Sequence, residues 1–193
     1  MNKIRVMLVE DDPFWQQTLA ADLNEEEDIE VNHIASTKEE ALLKGSSGEI
    51  DVVLMDINLT ENRLDGLEAT RELALSDLND LKIIMLTSLQ DRDVIVKSFQ
   101  HGANNFITKS NYKDIVQAIR DAYAGKPSIH SDAAPILVKE IQLNQLTPAE
   151  REIYDLKEKG MNKTQISEAL NKSVSTIKTQ IKSIKNKLMK KGR

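Results

Sequence analysis

The 193 residues are 40% hydrophobic, enough for one or two cores of ordinary size. Cysteine is absent, which excludes disulfides and thiolate zinc sites and fits a cytoplasmic protein; no apolar window approaches the roughly 18 residues of a membrane span, and the start of the chain lacks the apolar stretch of a secretory signal. The net charge of −5 hides an asymmetry, because residues 1–145 carry −12 and residues 146–193 carry +7, so a basic segment suited to a polyanion follows an acidic one.

A first strand is predicted over 3–9, where Ile4-Arg5-Val6-Met7-Leu8-Val9 stops at Glu10-Asp11-Asp12. Short apolar runs bounded by helical patterns read as buried parallel strands. Pro13 suits the first turn of a helix over 13–26, where its missing N–H needs no partner. Trp15, Leu19 and Leu23 form the apolar stripe of that helix, so Trp15 is expected to pack rather than to bind a ligand. A strand at 29–35 and a helix at 37–46 follow. The third strand, 51–55, stops at Asp56, and Gly66 opens a helix over 66–76. The fourth, 82–87, ends on Thr87 before a helix at 91–101. The fifth, 104–108, brings Phe106 and runs into Lys109 ahead of a helix at 112–124. Gly102 and Gly125 stand where glycines terminate helices. The histidines His33, His101 and His130 show no ligand spacing.

Strict alternation predicts an α/β class with a doubly wound, five-stranded parallel sheet. Ligands of such sheets bind beyond the carboxyl ends of the strands. The acidic run at 10–12, Asp56, Thr87 and Lys109 should therefore share one crevice, with Asp56 at its middle. Clustered carboxylates are costly unless a cation neutralises them, and Mg²⁺ prefers oxygen ligands that include a phosphate. The crevice suits a divalent cation and a phosphoryl group.

Residues 125–145 read as a linker. Gly125-Lys126-Pro127-Ser128 is turn chemistry, and 131–143 has the spacing of a short helix. Residues 146–193 read as a second, smaller all-α domain. Thr147-Pro148-Ala149-Glu150 is a capping box with proline at the first helical position, and that helix should end at Gly160. Asn162 and Gln165 start a second helix, and Ser173 caps a third. Val174, Ile177, Ile181, Ile184 and Leu188 make the inward stripe of the third helix. Two helices joined by a short turn, the second one basic, form a helix-turn-helix. Ser175, Thr179, Lys182, Ser183 and Asn186, flanked by Lys178 and Lys185, lie opposite the stripe as a face for the major groove.

The acidic run, Asp56, Thr87 and Lys109 at four strand ends resemble a flavodoxin-like receiver domain over 1–124. Leu146-Thr147-Pro148-Ala149-Glu150-Arg151-Glu152, with Gly160, Ile166, Leu170, Ser173 and Thr176-Ile177-Lys178, resembles the LuxR-type helix-turn-helix. Together they resemble a NarL/FixJ-type response regulator. The resemblance implies that Asp56 accepts a phosphoryl group from a sensor histidine kinase. It implies that Asp11 and Asp12 hold Mg²⁺ with Asp56 and the main-chain carbonyl of Asn58. Thr87 would bond a phosphoryl oxygen, Lys109 would pair with it, and Phe106 would be the switch aromatic. Lys178, Thr179 and Lys182 would reach bases of double-stranded DNA, and Lys185 would contact phosphate.

The function so implied is a phosphorylation-dependent transcription regulator of a two-component system. It would pair through its receivers when phosphorylated, and would not be an enzyme beyond slow self-dephosphorylation. The alternatives are a phosphorylation-independent regulator and an adaptor whose basic helix docks an acidic partner. The chain also departs from the family. Thr60 replaces a usual proline, Gly66 comes ten residues after Asp56 where eight is usual, Ser110 replaces a proline common after the lysine, and Gln180 stands where histidine is usual. Relatives generally continue into a fourth helix beyond the third, where this sequence ends on Lys190-Lys191-Gly192-Arg193.

Overall fold

The computed structural model describes residues 3–46, 49–60, 64–76, 81–88 and 91–189. The polar insertion Glu61-Asn62-Arg63 and the terminal residues 190–193 lie outside them. The chain forms two compact units, Met1–Ile136 and Leu137–Arg193. Among the described residues no helix is long and apolar enough to cross a membrane.

The first unit is a parallel sheet of β1 (Ile4–Val9), β2 (Ile29–Ala35), β3 (Val52–Met55), β4 (Lys82–Thr87) and β5 (Asn105–Thr108), in the order β2-β1-β3-β4-β5. Between the strands run α1 (Pro13–Asn24), α2 (Lys38–Gly45), α3 (Asp65–Leu75) and α4 (Arg92–Gln100), and α5 (Ile115–Tyr123) follows β5. Alternate residues explain why both faces are covered. Ile4, Val6, Leu8, Val52, Leu54, Ile84, Leu86 and Ile107 share a core with Leu19 and Leu23 of α1 and Ile115, Ala118 and Ile119 of α5. The opposite parity, including Met7, Val9, Val53, Met55, Met85 and Phe106, is buried as well. Strands buried on two faces must be apolar over most of their length, as β1, β3 and β4 are, while the edge strands β2 and β5 carry more polar residues. The strand order reverses between β1 and β3, the switch point where such sheets open a crevice. Glu10 and Asp11 leave β1 there, and Asp56 leaves β3.

Two helix starts differ from expectation. α5 begins at Ile115 rather than near 112, because Lys109–Asp114 forms a 3₁₀ turn broken by Asn111 at φ −108°. The linker helix α6 (Ala134–Leu143) begins three residues later than the apolar spacing suggests. Its missing turn is spent on tertiary bonds, since the Asp132 carboxylate accepts from Thr108 and Asn111.

The second unit packs α7 (Pro148–Glu158), α8 (Lys163–Ala169) and α9 (Val174–Met189) around Leu143, Leu146, Ile153, Ile166, Ile177, Ile181 and Ile184. Both α7 and α8 start in complete capping boxes, Thr147 with Glu150 and Asn162 with Gln165. Asn171 takes a left-handed φ of 49° in the turn between α8 and α9, a conformation asparagine tolerates better than most residues.

Candidate functional site

Three side chains meet closely at the switch point. Lys109 Nζ donates to Oδ2 of Asp56 at 3.0 Å and lies 2.6 Å from Oε2 of Glu10. Glu10, Asp56 and Lys109 are all buried. The main-chain N–H of Ile57 donates to Oδ1 of Asp56 at 2.6 Å, and that of Asn58 also donates to this carboxylate. One oxygen each of Glu10, Asp11 and Asp56 lie within 4.8 Å of one another. Burial pushes the Glu10 carboxyl up to about 7, against the pull of Lys109 and helped by the charge of Asp56. Burial also raises Asp56, with Lys109 opposing. For Lys109 burial works against the ammonium, but Glu10 and Asp56 outweigh it and hold the pKa above the ordinary lysine value. Oε2 of Glu10 has the ammonium as a charge partner, yet no aligned hydrogen-bond donor.

The acidic trio is shifted by one residue from the expected pair. Asp12 does not join it: its Oδ1 accepts the N–H of Phe14 at 2.8 Å and caps α1. Glu10 takes the inner position instead. The signal was present in the sequence, because a residue immediately before a first-turn proline is a helix N-cap. Thr87 is buried at the end of β4, and the strand register sets it opposite Thr108, the neighbour of Lys109. Phe106 is fully buried, beside Met85 in the register. Trp15 packs on the core as expected, and its ring also lies 5.3 Å from Lys109 Nζ, within range of a cation–π attraction.

On α9 the expected face is largely open. Ser175, Lys178, Thr179, Lys182, Lys185 and Asn186 are exposed, while Ile177, Ile181 and Ile184 are buried. The Thr179 hydroxyl donates back to the Ser175 carbonyl, leaving its oxygen able to accept. Ser183 departs from the expected face, because its hydroxyl donates to Glu150 at 2.7 Å. Lys187 Nζ reaches the same carboxylate at 2.6 Å, so Glu150 ties α9 to α7 while completing its capping box. These donors, Lys187 foremost, hold the Glu150 carboxyl down to about 2.

Residues 6–120 match the model of the response regulator receiver domain, and residues 144–193 match that of bacterial regulatory proteins of the luxR family. The transcriptional regulatory protein LiaR of Bacillus subtilis is 34% identical over 194 residues, covering 96% of this chain and 90% of LiaR. The chain belongs to the NarL/FixJ-type response regulators. Among solved structures, the response regulator ChrA of a heme-sensing two-component system is 27% identical, with a TM-score of 0.57 over 97% of this chain and 91% of that one. RcsB of Salmonella enterica serovar Typhimurium, bound to a promoter with a phosphomimetic, shares the fold at 22% identity, with a TM-score of 0.65 over 97% and 92%. This response regulator is accordingly a two-component transcription regulator with a DNA-binding helix-turn-helix. Its receiver carries an acidic cluster with the donor chemistry for a metal ion.

Proposed function

We propose that this response regulator is switched by phosphorylation of Asp56 by a sensor histidine kinase. One carboxylate oxygen of Asp56 forms the new P–O bond while the P–N bond to the kinase histidine breaks and its imidazole takes up a proton. The observation that carries this reading is the buried Asp56 carboxylate at the switch point, with Lys109 3.0 Å from one oxygen and the Ile57 N–H 2.6 Å from the other. Phosphoryl transfer depends on positioning and charge stabilisation. Lys109 balances the charge of the phosphoryl oxygens, and Thr87 bonds one of them and reports its presence. Phe106 then transmits the change to the receiver's helical surface.

The donor set fits Mg²⁺. Three carboxylates supply hard oxygens, and the Lys109 ammonium is shared between Glu10 and Asp56, so the cluster keeps an excess of negative charge that a cation would offset. Glu10, Asp11, Asp56 and the Asn58 carbonyl would hold the ion, which would offset the charge of the phosphoryl group. The receiver is a stoichiometric acceptor with no turnover beyond slow self-dephosphorylation.

The phosphorylated receivers pair, and pairing raises DNA avidity by bringing two α9 helices to two half-sites. Lys178, Thr179 and Lys182 read bases, and Lys185 contacts phosphate. The test is labelling of the full chain by a small acyl phosphate with Mg²⁺, followed by intact mass. Wild type gains one phosphoryl group, while Asp56→Asn or a chelator prevents it. Labelling of Asp56→Asn at the wild-type rate overturns the assignment.

A further inference from the structure

The segment between α5 and α6 lies beyond the residues that match the receiver family. It runs along β5, the edge strand of the sheet. The N–H of His130 donates to Oδ1 of Asn105 at 2.9 Å, the same oxygen that takes the N–H of Phe106. Oδ2 of Asp132 takes both the N–H and the hydroxyl of Thr108, each at 2.9 Å. Oδ1 takes the side-chain amide of Asn111 at 2.8 Å. His130 Nε2 lies 2.9 Å from the Asp114 carboxylate, and the Asp132 N–H donates to His130 Nδ1. The segment is thus bonded to both ends of β5 and to the 3₁₀ turn that follows it.

Edge strands need cover, and a polar loop gives it. Cover alone does not account for where the bonds fall. Three of them converge on one carboxylate, and they come from the residue just before Lys109 and from the turn that Lys109 opens. Burial works against a charge on Asp132, yet the two bonds from Thr108, with His130 and Asn111, bring its carboxyl below the ordinary range, so it is an ionised acceptor. The backbone from which Lys109 reaches Glu10 and Asp56 is therefore gripped by a segment of the same compact unit that lies beyond the family match.

We infer that Asp132 is a positioning residue for the phosphoryl site. Through Thr108 and Asn111 it fixes the backbone of Lys109, so that the inter-domain segment sets how long an acyl phosphate survives on Asp56. The inference rests on Asp56 being the acceptor. The same backbone also works in the other direction: a phosphoryl group that draws on the Lys109 ammonium pulls on the turn that Asp132 holds, and so changes the grip on the segment.

The experiment uses the full chain labelled with a small acyl phosphate and Mg²⁺. Two quantities are read, the decay of the label after the donor is removed and amide hydrogen exchange over 128–133. Asp132→Ala should change the label half-life by about 2- to 30-fold, the span that indirect couplings produce. Asp132→Asn, which keeps an acceptor for Thr108, should recover part of the change. In a Lys109→Ala background Asp132→Ala should add nothing. Wild-type exchange over 128–133 should differ between labelled and unlabelled protein. If Asp132→Ala fails to fold, Asp132→Asn and Thr108→Val carry the comparison. A labelled Asp132 variant that decays like wild type overturns the inference while leaving the acceptor intact, and so does an equal change in the Lys109→Ala background. A wild type that takes no label removes the acceptor reading and this inference with it.

Discussion

A side-chain carbon on Gly66 would collide with the main-chain carbonyl oxygen of Asp56. The Gly66 N–H also donates to the Ile57 carbonyl at 3.0 Å, so the first turn of α3 lies against the peptide that carries the acidic centre. Ahead of α3, Asp65 accepts the N–H of Leu59 and the hydroxyl of Thr60. The glycine therefore meets Asp56 despite arriving ten residues after it. Gly66→Ala must push backbone aside. A loss of about 1–3 kcal/mol in folding stability is expected, as for other overpacked sites, with slower labelling of Asp56. Urea unfolding and intact mass measure both, and an unchanged midpoint with normal labelling would show that the contact yields freely.

Lys109 serves two carboxylates, and Thr87 sits in the neighbouring strand end. Neither is the proposed acceptor. Lys109→Ala and Thr87→Ala should each retain some labelling while blunting the rise in DNA affinity that follows it. Titration of labelled and unlabelled protein on one operator fragment measures this rise. Variants that respond as fully as wild type would remove both residues from the switch.

Much of this arrangement was legible in the sequence, and what was not has definite causes. The strands could be bounded because runs such as Val6 to Val9 and Ile83 to Leu86 are apolar on both parities, as only two-sided burial requires. The meeting of Asp56 and Lys109 followed from strand ends alone, since a parallel sheet puts all its carboxyl ends on one edge. Glu10 and Asp12 were exchanged because three consecutive acids look equivalent until the cap at Pro13 claims one of them. Ser183 lies opposite the apolar stripe on the helical wheel, and only its partner on another helix, Glu150, takes it out of the open face. Asp132 has no periodic signal at all. It is a turn residue whose role comes from bonds to Thr108 and Asn111 across the sheet edge.

The exposed stripe of α9 separates two kinds of lysine. If Lys178 and Lys182 read base edges, Lys178→Ala or Lys182→Ala should cost roughly 1–3 kcal/mol on a specific site and little on random DNA. Lys185→Ala should weaken binding to all sequences and lower the magnitude of the salt slope by about one. Fluorescence anisotropy on specific and scrambled duplexes across a salt series distinguishes the two. Equal losses on both duplexes for Lys178→Ala would reassign it to phosphate.

Glu150 makes the second unit sensitive to acid. It is nearly buried, caps α7 and receives Ser183 and Lys187 from α9. Its carboxyl sits at about 2 in the folded unit, against about 4.3 for a free glutamate in an unfolded chain. A depressed acid stabilises the fold above the unfolded value, and that contribution fades as pH falls from about 4.3 toward 2. Glu150→Gln keeps the shape and an acceptor for the Thr147 N–H but loses the charge facing Lys187. The variant should therefore be less stable than wild type at pH 7, with the gap closing in acid. Amide exchange of α7 and α9 in the full chain at pH 7, 4 and 3, corrected for intrinsic rates, reads this gap while other acids cancel in the comparison. A gap that stays constant down to pH 3 would mean that the Glu150 charge does not hold α9 to α7.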